Sequence, residues 1–152
     1  MNIHQTEFLS AKQFSEINAL WNEEYPLKLK DRLALLLEDN AKTIHFYILD
    51  KFEQVIAWSV LFEKEQDLRF SILVSRKHQK QGLGSALLTE MKNEDLAFSG
   101  WVIDHDLDLR SDGSNYMSPL SFYLKNGFSI DESCCLNNEM IEAVLVRYQP
   151  EK

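Results

Sequence analysis

Cysteine is nearly missing from this sequence: there are two, Cys134 and Cys135, and they are neighbours. A disulfide between adjacent residues is strained, and no Cys-x-x-Cys or Cys/His spacing supplies a metal ligand set. The pair therefore reads as two small apolar residues in a strand. Repeats, low-complexity tracts and linker-like stretches are also absent, so nothing divides the chain. Positive charge is in deficit, with 16 Lys and Arg against 24 Asp and Glu for a net charge of −8. A general binder of nucleic acid or of anionic membrane needs a clustered basic face, and basic residues gather only at 28–32 and 76–80. No apolar run approaches the roughly 18 residues of a membrane span, and the opening Met-Asn-Ile-His-Gln lacks the pattern of a signal peptide. The expected location is cytoplasmic.

What is present is a core. With 152 residues, 45% hydrophobic and 11% aromatic, the chain is long enough for one well-filled domain and too short for two ordinary ones, so residues 1–152 are expected to form a single domain. Residues 3–9 read as a first strand. From Ser10, a helix N-cap, Phe14, Ile17, Leu20 and Trp21 recur at helical spacing until Tyr25-Pro26 closes the segment. A second helix is expected over 27–38, a hairpin over 43–50 and 54–63, and a further strand over 67–74. The next helix is expected to run to about Phe98, with Ser99-Gly100 stopping it before a strand at 101–105. A polar loop at 106–117, a short helix at 119–125 and strands at 128–133 and 141–148 complete a mixed α/β layer fold.

The stretch around which this order is arranged is Gln79-Lys80-Gln81-Gly82-Leu83-Gly84-Ser85. It follows the apolar run that ends Ile72-Leu73-Val74, and it opens a helix in which Leu83, Leu87, Leu88 and Met91 share a face. Glycines let a backbone approach a ligand closely, and the free N–H groups of a first helical turn carry partial positive charge, which together favour phosphate. A Walker loop would need Gly-Lys-Ser/Thr, which is absent, and a dinucleotide fingerprint would need a small residue where Leu87 stands.

The stretch resembles the Gln/Arg-x-x-Gly-x-Gly/Ala signature of the GNAT superfamily of acyl-CoA-dependent N-acyltransferases. A second landmark, Phe122-Tyr123-Leu124-Lys125-Asn126-Gly127-Phe128, is similar to the family's Tyr-x-x-x-Gly-Phe ending. The resemblance implies a GNAT-like twisted sheet of six to seven strands with about four helices. It implies acetyl-CoA as co-substrate without a metal, its pyrophosphate on the amides of residues 79–85 and its pantetheine arm along Ile72, Leu73 and Val74. Tyr123 would be the acid that protonates the departing thiolate, and Trp21, Glu23, Glu24 and Tyr25 would border the acceptor. The pattern departs at Pro119, where members often carry alanine, and the usual asparagine is displaced to Asn115.

Acyl transfer to an amine needs a base as well. A lysine-like amine with a pKa near 10.4 is neutral in only about one molecule in 2,500 at pH 7, a cost of roughly 4.6 kcal/mol. His105, a candidate base, titrates in the right range and stands with Asp104, a candidate substrate-binding residue, at the end of the expected fifth strand; alternation sends the two to opposite faces, so only one of them is expected to reach the substrate. Asp67, Glu65 and ordered water are alternatives. Asp104, Asp106, Asp108 and Asp112 fail the EF-hand pattern and read as a solvated acidic loop, able to attract a cationic acceptor. The expected activity is transfer of an acetyl group from acetyl-CoA to a primary amine of a small molecule or protein by direct attack. The alternative is a catalytically weak acyl-CoA-binding regulatory module. A homodimer is compatible with this reading; nucleic acid and membrane are not expected partners.

Overall fold

The computed structural model describes residues 2–38, 40, 42–139 and 141–151. Its seven strands are β1 (Ile3–Thr6), β2 (Thr43–Leu49), β3 (Val55–Lys64), β4 (Asp67–Val74), β5 (Phe98–Ile103), β6 (Ser129–Asn137) and β7 (Glu142–Tyr148). Four α-helices, α1 (Ala11–Glu24), α2 (Leu33–Leu37), α3 (Leu83–Lys92) and α4 (Leu120–Lys125), complete the expected mixed α/β fold. The strands lie in the order β1-β2-β3-β4-β5-β7-β6. Every neighbouring pair is antiparallel except β4 and β5.

Two cores form because strand side chains alternate between faces. On one face Phe46, Leu61, Phe70 and Phe98 pack with Leu83, Leu87, Leu88 and Met91 of α3 and with Tyr123 and Phe128. On the other, Tyr47, Trp58, Val60, Phe62 and Leu73 pack with Ile17, Leu20 and Trp21 of α1 and with Leu33 of α2. The start of α1 follows its sequence: Ser10 and Gln13 exchange the hydrogen bonds of a capping box.

The expected second helix over 27–38 is broken. A 3-10 turn at Leu27–Leu29 precedes α2, and between them Asp31 takes φ 61°. Its N–H donates to Asn22 Oδ1 at 2.8 Å, its carboxylate accepts from Asn22 Nδ2 at 2.8 Å, and Trp21 Nε1 donates to Leu29 O at 2.8 Å. These bonds fasten the turn to α1 and outweigh the helical spacing of the leucines. The other correction lies at β5. α3 ends at Lys92, and β5 begins at Phe98, so Ser99 and Gly100 lie within the strand. A Cβ on Gly100 would sit 2.6 Å from Phe70 Cε1 and 2.9 Å from Phe70 O. This glycine serves a close approach between strands, where the sequence suggested a stop.

Candidate active site

The site begins with a gap in the sheet. β4 is laddered to β3 along its length and β5 to β7 likewise, yet β4 and β5 share one registered pair, Arg69↔Ser99. Beyond the close approach of Gly100 to Phe70 the strands part, and among the described residues no strand is registered against the outer edge of β4 from Ser71 to Val74. Backbone groups on such an edge need partners. The gap opens into a cavity of about 1100 Å³, whose wall includes Ile72, Leu73 and Val74. Ile72 and Val74 pack towards α3, and Leu73 towards α1.

At the end of β4 the chain enters α3 through the glycine loop. Lys80 takes φ 65° and Gly82, the N-cap, φ 80°, both left-handed, which is costly for Lys80 and free for glycine. The first bond of the helix runs from Ala86 N to Gly82 O at 3.0 Å. The N–H groups of Leu83, Gly84 and Ser85 therefore have no partner inside the helix, and all three residues line the cavity. The lack of a Cβ at Gly84 admits Phe122 of α4, whose Cζ would lie 3.2 Å from such an atom. Gln79 and Lys80 also line the cavity, with Gln79 Nε2 bonded back to Val74 O at 3.0 Å. Gln81 is exposed and lies outside the lining. Arg76, at the start of the basic stretch 76–80, is engaged by carboxylates: its guanidinium meets Glu24 at 3.2 Å and Asp112 at 2.8 Å.

Tyr123 reaches the cavity from α4. Its ring lies in the α3-side core, with centroids 5.3 Å from Phe70 and Phe122 and 5.4 Å from Phe128. Among the described residues its hydroxyl makes no hydrogen bond, and burial, with a smaller repulsion from Tyr25, pushes its pKa far above the usual tyrosine value. Tyr25 and Trp21 also line the cavity. The Tyr25 hydroxyl is 2.9 Å from Ser71 Oγ, and burial raises its pKa.

Glu24 is the buried carboxylate of the wall. Oε2 accepts from Arg76 N at 2.9 Å, and burial raises its pKa against the lowering pull of Arg76 and Arg110. The sequence marks it only as a neighbour of the acceptor. Burial on the inward turn of α1, next to Trp21, was the available signal.

Asp104 and His105 do not join this constellation. β5 ends at Ile103, so both fall in the following turn and neither lines the cavity. His105 Nδ1 accepts from Leu107 N at 3.1 Å and Nε2 lies 3.8 Å from Glu142. The acidic loop is likewise occupied with its own structure. Asp106 accepts from Ser118 N at 2.6 Å, Asp108 pairs with Lys28 at 2.8 Å, and Asp112 pairs with Arg76. Lys28 and Arg76 thus offset the charges of Asp108 and Asp112, while Asp106 keeps its charge against a backbone amide. Glu65 borders the cavity, whereas Asp67 does not. Among the described residues no three His, Cys, Asp or Glu side chains gather as a metal site, and no helix is long and apolar enough to cross a membrane.

An acetyltransferase (GNAT) domain model matches residues 33–130, and the chain belongs to that family. Among solved structures it is similar to the aminoglycoside 6'-N-acetyltransferase from Enterococcus faecium, at 14% identity over 97% of this chain and 96% of that one, TM-score 0.66. The PaiA N-acetyltransferase from Thermoplasma acidophilum in complex with coenzyme A matches at 14% identity over 98% and 99%, TM-score 0.59. GphF, a GNAT-like decarboxylase in complex with isobutyryl-CoA, matches at 12% identity over 98% and 99%, TM-score 0.67. At such identities these likenesses show the shared fold. No curated protein sequence matches the chain. Family membership makes acyl transfer from an acyl-CoA the activity class.

Proposed function

We propose that this protein transfers an acetyl group from acetyl-CoA to a primary amine by direct attack in a ternary complex. The observation that carries the reading is continuity: one cavity is bordered by the unpaired edge of β4, the free amides of α3, Tyr123, and Glu24 and Tyr25 at the C-terminal end of α1. The Leu83, Gly84 and Ser85 amides, with Lys80 beside them, would hold the coenzyme pyrophosphate, and the Ile72–Val74 edge its pantetheine arm. Acetyl-CoA supplies the activated thioester. The chain's own work is to hold both reactants against each other and to manage two protons.

The amine must lose a proton before it attacks, and Glu24 draws it off through water. Burial raises the carboxyl's pKa and so narrows the gap to the amine. Tyr123, kept protonated by burial, donates to the thiolate as its charge develops. No protein nucleophile is required: Cys134 and Cys135 are free and lie outside the cavity lining. Two free cysteines also suit a reducing cytosol.

A second reading, a coenzyme-binding module with little turnover, draws on one feature: Arg76 already engages Glu24, and a tyrosine of raised pKa is a weaker acid. Calorimetry with acetyl-CoA and a thiol-release screen over varied amines separate the two. Binding with amine-dependent thiol release supports the enzyme, binding with no release supports the module, and absence of binding removes both.

A further inference from the structure

The part of the cavity remote from the glycine loop is walled by the sheet face that α1 and α2 cover. Arg69, Ser71 and Leu73 share that face of β4, because Ser71 bonds Tyr25 and Leu73 packs in the α1 core. Lys64 ends β3 two residues beyond Phe62 of the same core, and Arg32 is the residue before α2. All three cations line the cavity, in a chain whose net charge is −8. Among the described residues the side chains of Arg32 and Lys64 form no hydrogen bond or ion pair. Arg69 touches the neutral Ser99 hydroxyl and, at 3.4 Å, the exposed Asp67. Among the described residues two carboxylates line the same cavity: Glu24, paired with Arg76, and Glu65 in the exposed β3–β4 turn. Apolar side chains at the mouth complete the picture, with Leu35 51%, Trp101 40% and Met117 59% exposed.

A polyamine entering this space would meet excess positive charge. A carboxylate would meet partly buried guanidinium donors, whose planar fork suits it. Resting on the reading of the site as an amine acetyltransferase, we propose that the acceptor is an amine that also carries a carboxylate on a partly apolar body, and that Arg69, supported by Arg32 and Lys64, binds that carboxylate. The spacing suits a small amino-acid-like molecule. Arg69 precedes Ser71 by two residues on the same strand face, about 6.6 Å along the strand, and Ser71 holds the Tyr25 hydroxyl, which lines the cavity together with Tyr123. The amine then lies at the tyrosines and the carboxylate at Arg69.

The test compares leucine and phenylalanine with their amides and with putrescine, following thiol release from acetyl-CoA. The amides have the more readily neutral amines, so chemistry alone favours them. The carboxylates are expected to exceed their amides in kcat/KM by about tenfold or more, since one charge-assisted contact is lost in the amide. Arg69→Gln should erase that preference through the acceptor's KM, with the KM of acetyl-CoA unchanged. Because Arg69 also ties β4 to β5, its variant is checked by thermal unfolding. Lys64→Gln, at an exposed strand end, should lower the preference without touching the fold. Amides or putrescine turned over as well as the carboxylates, or a preference that survives in both variants, would overturn the proposal. So would failure of every carboxylate while acetyl-CoA still binds. Failure of acetyl-CoA itself to bind would overturn the underlying enzyme reading instead.

Discussion

Removing one oxygen from Tyr123 separates a catalytic acid from a core aromatic. In Tyr123→Phe the ring keeps its contacts with Phe70, Phe122 and Phe128, at 5.3 to 5.4 Å between centroids. The lost hydroxyl has no hydrogen-bond partner among the described residues, so its removal orphans no donor or acceptor. Tyr123 lines the cavity, so losing its hydroxyl strands no buried polar group; the stability change should lie within about 0.5 kcal/mol, and a Tm shift of roughly 2 °C at most is expected. Turnover should respond differently. A thiolate with pKa about 8.5 takes a proton from an ordinary tyrosine uphill by about 2 kcal/mol, and burial makes that gap larger. Tyr123 therefore helps only as negative charge builds on sulfur, an effect worth roughly 10² or more in kcat, while the Kd of acetyl-CoA stays near parental. The loss should shrink with a thioester of a more acidic thiol. An acid must be protonated to act, and a raised pKa keeps Tyr123 so; kcat should show no alkaline limb from it below about pH 10. The assays are thiol release at saturating substrates, calorimetry and thermal unfolding. Near-parental kcat in the folded variant, or a kcat that falls only in step with stability, would refute the reasoning.

His45 is buried, accepts from Trp58 Nε1 at 3.0 Å, and burial lowers its pKa to about 4. Between that value and about 6.5 the unfolded chain binds the extra proton, so this stabilisation is whole above pH 6.5 and is lost towards pH 4, by up to about 3 kcal/mol. Urea unfolding should show that slope in the parent and a flatter one in His45→Gln; equal slopes would remove His45 from the account. Gly82 has open space around a Cβ but φ 80°, so Gly82→Ala should cost about 1 to 2 kcal/mol through backbone strain and weaken acetyl-CoA by tilting the first-turn amides. Unchanged calorimetric affinity would show that those amides do not carry the coenzyme.

The glycine loop was legible because its signals are local: an apolar run, two glycines and a helical face within some twenty residues. The succession of strands and helices along the chain followed from alternation and turn residues in the same way, whereas the β5-β7-β6 arrangement in the sheet was not read from the sequence. Gly100 misled for the opposite reason. Its smallness answers the Phe70 ring on a neighbouring strand, and nothing near it in sequence says so. That shift of β5 also moved Asp104 and His105 out of the strand and away from the cleft. Asp31 broke the leucine-rich second helix through its bonds to Asn22, a contact that periodicity does not encode. The acidic loop looked free because Lys28 and Arg76, which neutralise Asp108 and Asp112, lie far off in sequence. The convergence of Arg32, Lys64 and Arg69 on one cavity is equally a product of the fold.

The central claim, direct transfer within a ternary complex at this cavity, is tested most directly by a single-turnover experiment with excess protein over acetyl-CoA. Thiol release, acetylated amine and protein mass are followed with and without a turned-over amine. The account predicts no thiol release before the amine is added, then thiol and acetylated amine appearing together in equal amounts, with the protein mass unchanged throughout. A burst of thiol on mixing with acetyl-CoA alone, accompanied by an acetylated protein that later passes its acetyl group to the amine, would contradict it.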